Sequence, residues 1–458
     1  MIGKDHSMSE QPQPSTAYLD ATTRAIHDRM ANAPQIEPNA TETYPGQAAL
    51  WATVAEGVEK RMPQLRALAL DLHAHPELAF EEFRSAQAIA DFLRAHHCEV
   101  RTQAHGVDTA LRAEYLGEGF IEGKHPTIAV MGEYDALPNI GHACGHNLIG
   151  ASGVGAFLAA VDAVAAAGIP GKVVFLGTPA EEGHSGKEYM IRGGMLDGID
   201  AAVMMHPFSF DICSHVWVGR RTLSVTFTGV PAHASSQPFM GRNALDAASL
   251  AYQAMGLLRQ QMPPSDRLHA VISEGGERPS VIPSEAKMDV FVRSLMVETL
   301  VDLSARIDDI LDGAALMAGV TVERTWDTHP MSLPIRNNSV LADRWAITQA
   351  TQGRQTLPAD VVPDSLAAST DFGNVSHLVP AIHPMVKIAP EGVALHTEAF
   401  EVWAAADEGI KGLRDSAIGL GQVIVDLIAD PNLLAQAQAE FEHAGGAVSV
   451  AEVLSPDN

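Results

Sequence analysis

The sequence has few cysteines, few aromatic residues and few positive charges, and each shortage narrows its possible functions. Three cysteines in 458 residues, Cys98, Cys144 and Cys213, cannot form a disulfide framework, which favours a reducing compartment. Aromatic residues make up only 5%, so no aromatic cage for a ligand can be identified. The 30 Lys and Arg against 56 Asp and Glu leave a formal charge of −26, which repels phosphate backbones and anionic lipids. We therefore expect neither nucleic acid nor a membrane as a partner.

Targeting and membrane-spanning segments are also missing from the sequence pattern. The first residues, MIGKDHSMSEQPQPS, contain no apolar stretch after a basic cluster, so we expect a cytoplasmic location. Residues 148–168 are almost uncharged and about as long as a bilayer requires. This segment is mostly Ala and Gly, carries Asp162 and adjoins a polar His/Cys motif. A helix buried inside the protein is therefore expected there.

Hydrophobic patterning predicts an α/β domain with a mostly parallel central sheet. A chain of 458 residues exceeds the roughly 250–300 residues of one core, which indicates two domains. Residues 1–45 are polar and contain proline, and we interpret them as an extension with one helix near 18–30. Short apolar runs then alternate with helical stretches, which is typical of a buried parallel sheet with flanking helices. These runs lie at 127–131, 172–177 and 201–205, and the pattern resumes at 384–390.

A second module is predicted to interrupt this domain. Residues 220–330 follow the order β-α-β-β-α-β, which is typical of a ferredoxin-like unit. We therefore expect a catalytic domain formed by residues 46–219 and 331–458, with an inserted lid or dimerisation domain between its two parts.

Side chains that bind metals follow each of four predicted strands. In an open α/β sheet the ligand site lies beyond the carboxyl ends of the strands, so residues that follow neighbouring strands meet at one edge. These residues are Glu133, Asp135, His142, Cys144 and His146 after the first strand, Glu181 and Glu182 after the second, His206 after the third and His396 after the fourth. Imidazole, thiolate and carboxylate groups are the ligands of a divalent transition-metal ion.

The adjacent pair Glu181 and Glu182 decides between a metal site and unrelated structural residues. A single histidine after a strand, such as His206 or His396, is more often a hydrogen-bonded structural residue, and Cys144 alone could be an inert buried thiol. Two neighbouring carboxylates in an apolar-flanked loop repel each other unless a cation or a proton compensates. If one of the two carboxylates is a metal ligand and the other is a general base, the presence of both is explained.

A series of motifs carries a family resemblance. HAHPELAFEEF, EYDALP, GHACGHN, PAEEG, MMHP, PAHAS followed by GRNALDA, and LHTEAF occur in this order. The series resembles the aminoacylase-like and carboxypeptidase G-like metallopeptidase family, which includes auxin-conjugate amidohydrolases and dipeptidases. EYDALPNIGHACGHN and STDFGNVSHLVP are most similar to the branch of p-aminobenzoyl-glutamate hydrolase and the peptidase-like dipeptidases. The resemblance covers about residues 60–428 and implies a hydrolase with two divalent metal ions.

The resemblance also implies roles for individual residues. The implied metal ligands are Cys144, His146, Glu182, His206 and His396, with Cys144 bridging the two ions. Glu181 matches the catalytic base, and Asp135 matches the aspartate that orients a ligand histidine. The carboxypeptidase branch has a histidine ligand where this chain has Glu133, whose role stays open. His142 is left outside the site.

Residues of the inserted module are implied to act on the substrate. His233 in VPAHASS matches the histidine that polarises the scissile carbonyl, commonly in the site of a partner chain, so a homodimer through this module is expected. Arg293 and Asn243 match positions that hold the substrate carboxylate, and an arginine fork suits that group through two parallel hydrogen bonds. A surface salt bridge is an equally good interpretation of Arg293.

The expected reaction is cleavage of the amide of an N-acyl or N-aroyl amino acid, or of a dipeptide, next to a free carboxylate. A divalent ion lowers the pKa of bound water from roughly 16 to about 7, and a second ion can accept the developing oxyanion. Glu181 would pass the proton of the water to the leaving nitrogen. Thiolate and imidazole ligands favour zinc, whereas carboxylates also suit manganese or cobalt.

Two other functions remain open at this point. The same site could displace ammonia from an aminoaromatic acid, which would make the chain a hydrolytic deaminase. A non-catalytic subunit is less favoured, because such a protein has no physical reason to keep two adjacent carboxylates beside a cation site.

Overall fold

The computed structural model describes residues 14–37, 43–359, 361–364 and 367–455. Its helices are α1 (Ala17–Ala31), α2 (Gln47–Ala74), α3 (Phe83–Ala95), α4 (His146–Ala167), α5 (Gly186–Arg192), α6 (Ala244–Leu258), α7 (Val297–Ala318), α8 (Ser339–Thr351), α9 (Phe372–Ser376), α10 (Glu398–Trp403), α11 (Asp407–Ala429), α12 (Pro431–His443) and α13 (Val450–Val453). Its strands are β1 (Val100–Thr102), β2 (Leu111–Leu116), β3 (Thr127–Gly132), β4 (Lys172–Gly177), β5 (Ala201–Val203), β6 (His206–Phe208), β7 (Gly219–Thr228), β8 (Arg267–Glu274), β9 (Glu285–Ser294), β10 (Thr321–Trp326), β11 (Ala381–Ile382) and β12 (Met385–Lys387). The helix expected near 18–30 is α1, and the rest of the predicted polar extension lies partly outside the described residues.

The larger core surrounds a six-stranded sheet with the order β1-β2-β4-β3-β5-β11. Strand β2 runs antiparallel to both of its neighbours, and β4, β3, β5 and β11 are parallel to one another. Every residue of β3 is buried, because helices cover the sheet. Helix α4 approaches β3 closely at Gly153, where a Cβ atom would lie 2.7 Å from the carbonyl oxygen of Met131. The predicted α/β fold with a mostly parallel sheet is confirmed.

The position of residues 384–390 corrects the sequence interpretation. This run was expected to continue the large sheet, but β11 fills that place and β12 pairs with β6 in a separate two-stranded sheet. The chain changes sheets at His383 and Pro384, where the proline carbonyl accepts a hydrogen bond of 2.8 Å from the backbone N–H of His206. The small sheet therefore fixes His206 just beyond the end of β5.

A second sheet has four antiparallel strands in the order β10-β7-β9-β8. Helices α6 and α7 pack on one face, over buried residues such as Val225, Phe227, Met288 and Val290. We call residues 219–326 the inserted module. The chain order β7-α6-β8-β9-α7-β10 agrees with the pattern expected for residues 220–330, while the domain boundaries themselves remain a prediction.

The segment after α12 returns to the inserted module. Helix α12 packs on α8 and α11 in the larger core, through residues such as Leu433 and Ala437. A few residues later Val450 and Val453 are buried in the core of the inserted module, with Val448 packed against it. Both cores are therefore joined by this segment as well as by the chain at the two ends of the module.

Helix α4 is the one helix of the described residues that is long and apolar enough to cross a membrane by itself. Within its most apolar window, 83% of the residues are buried inside the protein. The neighbouring helices α11 and α12 pass the same test only as a pair, and they are bent by 97°. Helices α2 and α11 pack on α4, so the segment is a buried helix, as its Ala- and Gly-rich composition indicated.

Candidate active site and metal centre

The site lies in the loops that follow β3, β4 and β5 and in the loop before α10. Gly145 connects Cys144 to His146, the first residue of α4, with a φ of 80°, in the left-handed region. A Cβ atom there would lie 2.8 Å from a side-chain carbon of Pro207. Only glycine fits this turn, and it directs the thiol and the imidazole of its two neighbours into the site.

The residues expected to bind metal come together. Three groups of side chains each place their ligand atoms within 4.8 Å of one another, namely Cys144, His146 and His206; Cys144, Glu182 and His396; and His146, Glu181 and Glu182. The Sγ atom of Cys144 lies 3.4 Å from Nε2 of His206, and Nε2 of His396 lies 3.3 Å from Oε1 of Glu182. Cys144, His146 and Glu182 each belong to two of the groups, so the three groups form one continuous cluster.

Unpartnered polar atoms show that these residues fit divalent cations. Nε2 of His146, Oε1 of Glu182 and Oε2 of Glu133 are buried and have no hydrogen-bond partner among the described residues. A buried polar atom without a partner is destabilising by roughly 1–3 kcal/mol, so a cluster of them is rare without a compensating ion. Thiolate, imidazole and carboxylate are together a suitable set of ligands for divalent transition metals.

Asp135 holds His146 in the orientation that a metal ligand needs. Nδ1 of His146 donates a hydrogen bond of 2.9 Å to one carboxylate oxygen of Asp135, and the backbone N–H of Glu182 donates one of 2.8 Å to the other. His146 is fully buried and Asp135 almost fully. This arrangement directs Nε2 of His146 into the site, and fixing the ring angle is the role expected of an orienting aspartate.

The two adjacent carboxylates have opposite pKa shifts. Burial, then Glu182 and Glu133, raises the pKa of Glu181 well above its usual range. Burial also raises the pKa of Glu182, but the imidazole of His396, 3.3 Å away, and the charge of His146 lower it more, to about 2. Two carboxyl groups whose environments separate their pKa values are suited to different roles, one as a proton acceptor and donor and the other as a permanent anion.

The backbone around the site adopts sparsely populated conformations. Ala180, Ser185 and His396 have φ values of 60°, 55° and 60° without being glycine. Such residues are destabilising by about 1–3 kcal/mol each and persist where the surrounding structure holds them, most often at functional sites. The strained residues flank Glu181 and Glu182 and include one expected ligand.

A buried charge network beside the site has no counterpart among the sequence predictions. The fully buried amine of Lys187 donates to Glu133 and to Oδ1 of Asp371, the latter at 2.6 Å. The other oxygen of Glu133 lies 3.5 Å from Nε2 of His146. Lys187 and Asp371 are 184 positions apart, so no local pattern connects them.

His142 lies outside the site, as expected from the sequence. Its Nε2 atom is 3.1 Å from the backbone oxygen of Leu72, to which it donates a hydrogen bond. Burial, then the charges of His146 and His73, lowers the pKa of His142 to about 3. The side chain is therefore a neutral structural group that ties the loop before α4 to the end of α2.

The residues of the inserted module separate into two groups. Arg293 lines a cavity of about 410 Å³ together with Glu181, Glu182 and His396. Asn243 lies outside it and caps α6, where its side chain accepts from the backbone N–H of Leu245 at 3.0 Å. His233 is exposed and also lies outside the cavity. The single chain therefore brings Arg293 to the site but not the other two residues.

The sequence from residue 129 to residue 417 matches the model of peptidase family M20/M25/M40. The chain is 36% identical over 398 residues to an Xaa-Arg dipeptidase of Mus musculus, an alignment that covers 85% of this chain and 91% of the relative. The chain belongs to this peptidase family. It is also 29% identical to one subunit of the p-aminobenzoyl-glutamate hydrolase of Escherichia coli K12, over 86% of this chain and 95% of that one.

Solved structures support the same fold. A dinuclear metal-binding peptidase from Bacillus subtilis superimposes with a TM-score of 0.61 at 21% identity, over 80% of this chain and 99% of the other. An aminobenzoyl-glutamate utilization protein from Klebsiella pneumoniae gives a TM-score of 0.60 at 22% identity, over 79% and 97%. This M20 chain is thus a hydrolase of C–N bonds, and its family membership agrees with the resemblance found in the motifs.

Proposed function

We propose that this M20 hydrolase cleaves the amide that joins an acyl or aroyl group to an amino acid with a free carboxylate, with dipeptides as a second group of substrates. The observation that carries the proposal is one cavity lined by Glu181, Glu182 and Arg293. The two carboxylates are suited to amide hydrolysis, and the guanidinium is suited to binding a carboxylate. The relatives named as a dipeptidase and as a p-aminobenzoyl-glutamate hydrolase support this class of bond.

The side chains divide the work of the reaction. Cys144, His146, Glu182, His206 and His396 would hold two divalent cations, for which we propose zinc, with manganese or cobalt as the alternatives. Such cations activate water and polarise a carbonyl group when they are bound. Glu181 accepts the proton of the attacking water and returns it to the leaving nitrogen. Asp135 keeps His146 in place, and Arg293 holds the carboxylate of the substrate through two parallel hydrogen bonds.

The role of Glu181 as the general base is tested by measuring turnover and bound metal separately in two variants. Glu181→Gln should lower kcat by about 100- to 10,000-fold and leave the bound metal per chain unchanged, because the amide keeps the shape of the side chain but cannot accept the proton. His206→Ala should lose metal as well as activity. Metal is measured by elemental analysis of the purified proteins, and Glu323→Gln on the exposed face of β10 serves as the control.

Substrates are compared with separate detection of amine and ammonia. Dipeptides, N-acetyl and N-benzoyl amino acids, aminobenzoyl-glutamate and aminoaromatic acids form the panel. Release of the free amino acid supports the proposal, whereas ammonia from aminoaromatic acids alone would show a deaminase. Near-normal turnover of Glu181→Gln would refute the assigned base.

We further propose a homodimer in which His233 of each chain acts in the site of the other. His233 is exposed, and apolar side chains near it are exposed as well, with Val230 at 48%, Phe239 at 73% and Val281 at 47% of their full area. Apolar patches of this kind mark interfaces. The chain is also 30% identical over 188 residues to the other subunit of the Escherichia coli p-aminobenzoyl-glutamate hydrolase, so a second, related chain is the competing partner.

Mixing two inactive variants tests this proposal. A dimer of one Glu181→Gln chain and one His233→Ala chain has one complete site if His233 acts across the interface, and none if it acts within its own chain. Random reassociation should therefore restore about one quarter of wild-type activity. Each variant alone is the control. No recovery, with mixed dimers demonstrated by mass spectrometry, would exclude action across the interface.

A further inference from the structure

Three arginines form a row across the inserted module and face the cavity. Arg220 on β7 is the cross-strand partner of Arg293 on β9, and Arg293 is also the partner of Arg267 on β8. Directly paired residues of an antiparallel sheet share a face, here the face away from α6 and α7. All three side chains line the cavity that contains Glu181 and Glu182. We call these three residues the arginine row.

In the part of the chain that the structure describes, no carboxylate lies within 4.0 Å of any guanidinium group of the arginine row, so none of the three forms an ion pair. The guanidinium of Arg293 makes no hydrogen bond to the described residues, and its Cζ atom lies 5.4 Å from the centre of the Phe291 ring. Nε of Arg220 is buried without a partner, and its Nη2 atom donates to Oγ of Ser185 at 3.3 Å. Arg267 donates only to backbone oxygens, at 2.7 and 2.9 Å.

This arrangement is unfavourable without an anionic ligand. Like charges directly opposite on neighbouring strands destabilise a sheet, and the partly buried guanidinium of Arg293 loses hydration that no hydrogen bond to the described residues replaces. One substrate carboxylate occupies one arginine fork, through two parallel hydrogen bonds. The remaining two guanidinium groups require a second anion. The carboxylates of Glu181 and Glu182 line the same cavity, but they belong to the groups that could hold metal ions and do not meet this need.

We propose that the preferred substrate has two carboxylates on the amino-acid side of the scissile amide, as in N-acyl or N-aroyl glutamate and aspartate. Arg293 on the middle strand binds the α-carboxylate, and Arg267 on the adjacent strand β8 binds the side-chain carboxylate. The inference rests on the proposed amide hydrolysis and adds the charge of the substrate to it. The arginine row repels a lysine or arginine residue at the same position. In this respect the chain would differ from the Xaa-Arg dipeptidase it resembles, whose name specifies arginine.

Three substrates of similar size isolate the effect of charge. N-benzoyl-glutamate, N-benzoyl-glutamine and N-benzoyl-lysine share the scissile bond and differ in the charge of the amino-acid side chain. We expect kcat/KM for the glutamate substrate to exceed that for glutamine by about 10- to 100-fold, since a hydrogen bond to a charged group contributes roughly 1.5–3 kcal/mol. The lysine substrate should be the poorest of the three.

Arg267→Gln should reduce the ratio of kcat/KM for glutamate over glutamine by about tenfold, because it removes one guanidinium and keeps a polar side chain. Arg306→Gln on the exposed face of α7 is the matched control and should leave the ratio unchanged. If Arg267→Gln fails to fold, inhibition of the wild-type enzyme by free glutamate, glutamine and lysine gives the same comparison.

The outcomes separate the two proposals. Cleavage of all three substrates with equal kcat/KM, or a preference for lysine, overturns the inference and leaves amide hydrolysis intact. A failure to release amino acid from any acylated substrate overturns the proposed function itself.

Discussion

Replacing Lys187 by methionine is predicted to destabilise the larger core severely. Lys187 is the cation between two carboxylates, Glu133 and Asp371, and each of the three side chains is at most 1% exposed. Methionine has a similar length but no charge, so the variant leaves two buried anions facing each other. Water cannot reach them to take over the role of the amine.

The expected loss follows from the burial of this network. Removing one partner of a buried ion pair destabilises a protein by about 3–5 kcal/mol, because the remaining charge stays desolvated without compensation. Here one lysine serves two carboxylates, so we expect the upper part of that range. The equilibrium constant for folding should fall by about a thousandfold. Such a loss is a large fraction of the roughly 5–15 kcal/mol that stabilises a typical domain.

Urea unfolding followed by tryptophan fluorescence measures the change. The experiment is done with a chelator present, because a cation beside Glu133 would partly replace the lost charge. Lys60→Met on the exposed side of α2 should change stability by less than about 0.5 kcal/mol. Adding Glu133→Gln and Asp371→Asn to the methionine variant should recover most of the loss, since it removes the unpaired charges. A single variant as stable as the wild type, or a triple variant as unstable as the single one, would refute the reasoning.

Two further changes test the structure away from the reacting atoms. Burial, then the charge of Arg336, lowers the pKa of His377 from 6.5 to about 4, and its ring nitrogens are 3.1 Å from Nη2 of Arg336 and 3.0 Å from the carbonyl of Pro334. Unfolding therefore takes up a proton, and stability is lost as the pH falls from about 6.5 towards 4. His377→Gln should remove about 2 kcal/mol of the stability loss between pH 7.5 and pH 5. The free energy of urea unfolding should then decline less steeply with falling pH in the variant than in the wild type. Parallel declines in both proteins would contradict it. Gly373→Ala places a Cβ atom 1.8 Å from the carbonyl oxygen of Leu333 and should lower the free energy of unfolding by more than about 3 kcal/mol. Gly313→Ala lies in open space on α7 and should raise it by about 0.5–1 kcal/mol. The melting temperatures of the two alanine variants test this contrast, and equal shifts in melting temperature would contradict it.

The clustering of Cys144, Glu182 and His206 could be predicted from strand order, whereas their roles as metal ligands were implied by the family resemblance. Residues that follow neighbouring parallel strands meet at one edge of a sheet, so the segments after β3, β4 and β5 bring these side chains together. The order of elements in the inserted module was predictable for a similar reason, since each strand and helix has its own periodicity. Both predictions needed only local patterns and one topological rule.

Features that depend on register and distant pairing could not be predicted. The arginine row arises because β8 and β7 both align with Arg293, and the spacing between positions 220, 267 and 293 has no meaning until the strands pair. Lys187 and Asp371 are brought together by the packing of α5 and α9. The short β11 was hidden by the more apolar run that follows it, which is why β12 was assigned to the wrong sheet.

The contribution of Val448, Val450 and Val453 to the core of the inserted module has a consequence for protein synthesis. Ribosomes add about 5–20 residues per second, so the module waits roughly 5–25 s after β10 before these valines are made. During that interval the apolar side chains of the module that these valines cover stay exposed. Nascent chains halted before α13 should therefore bind chaperones through the module, and release should follow once the missing valines emerge from the exit tunnel.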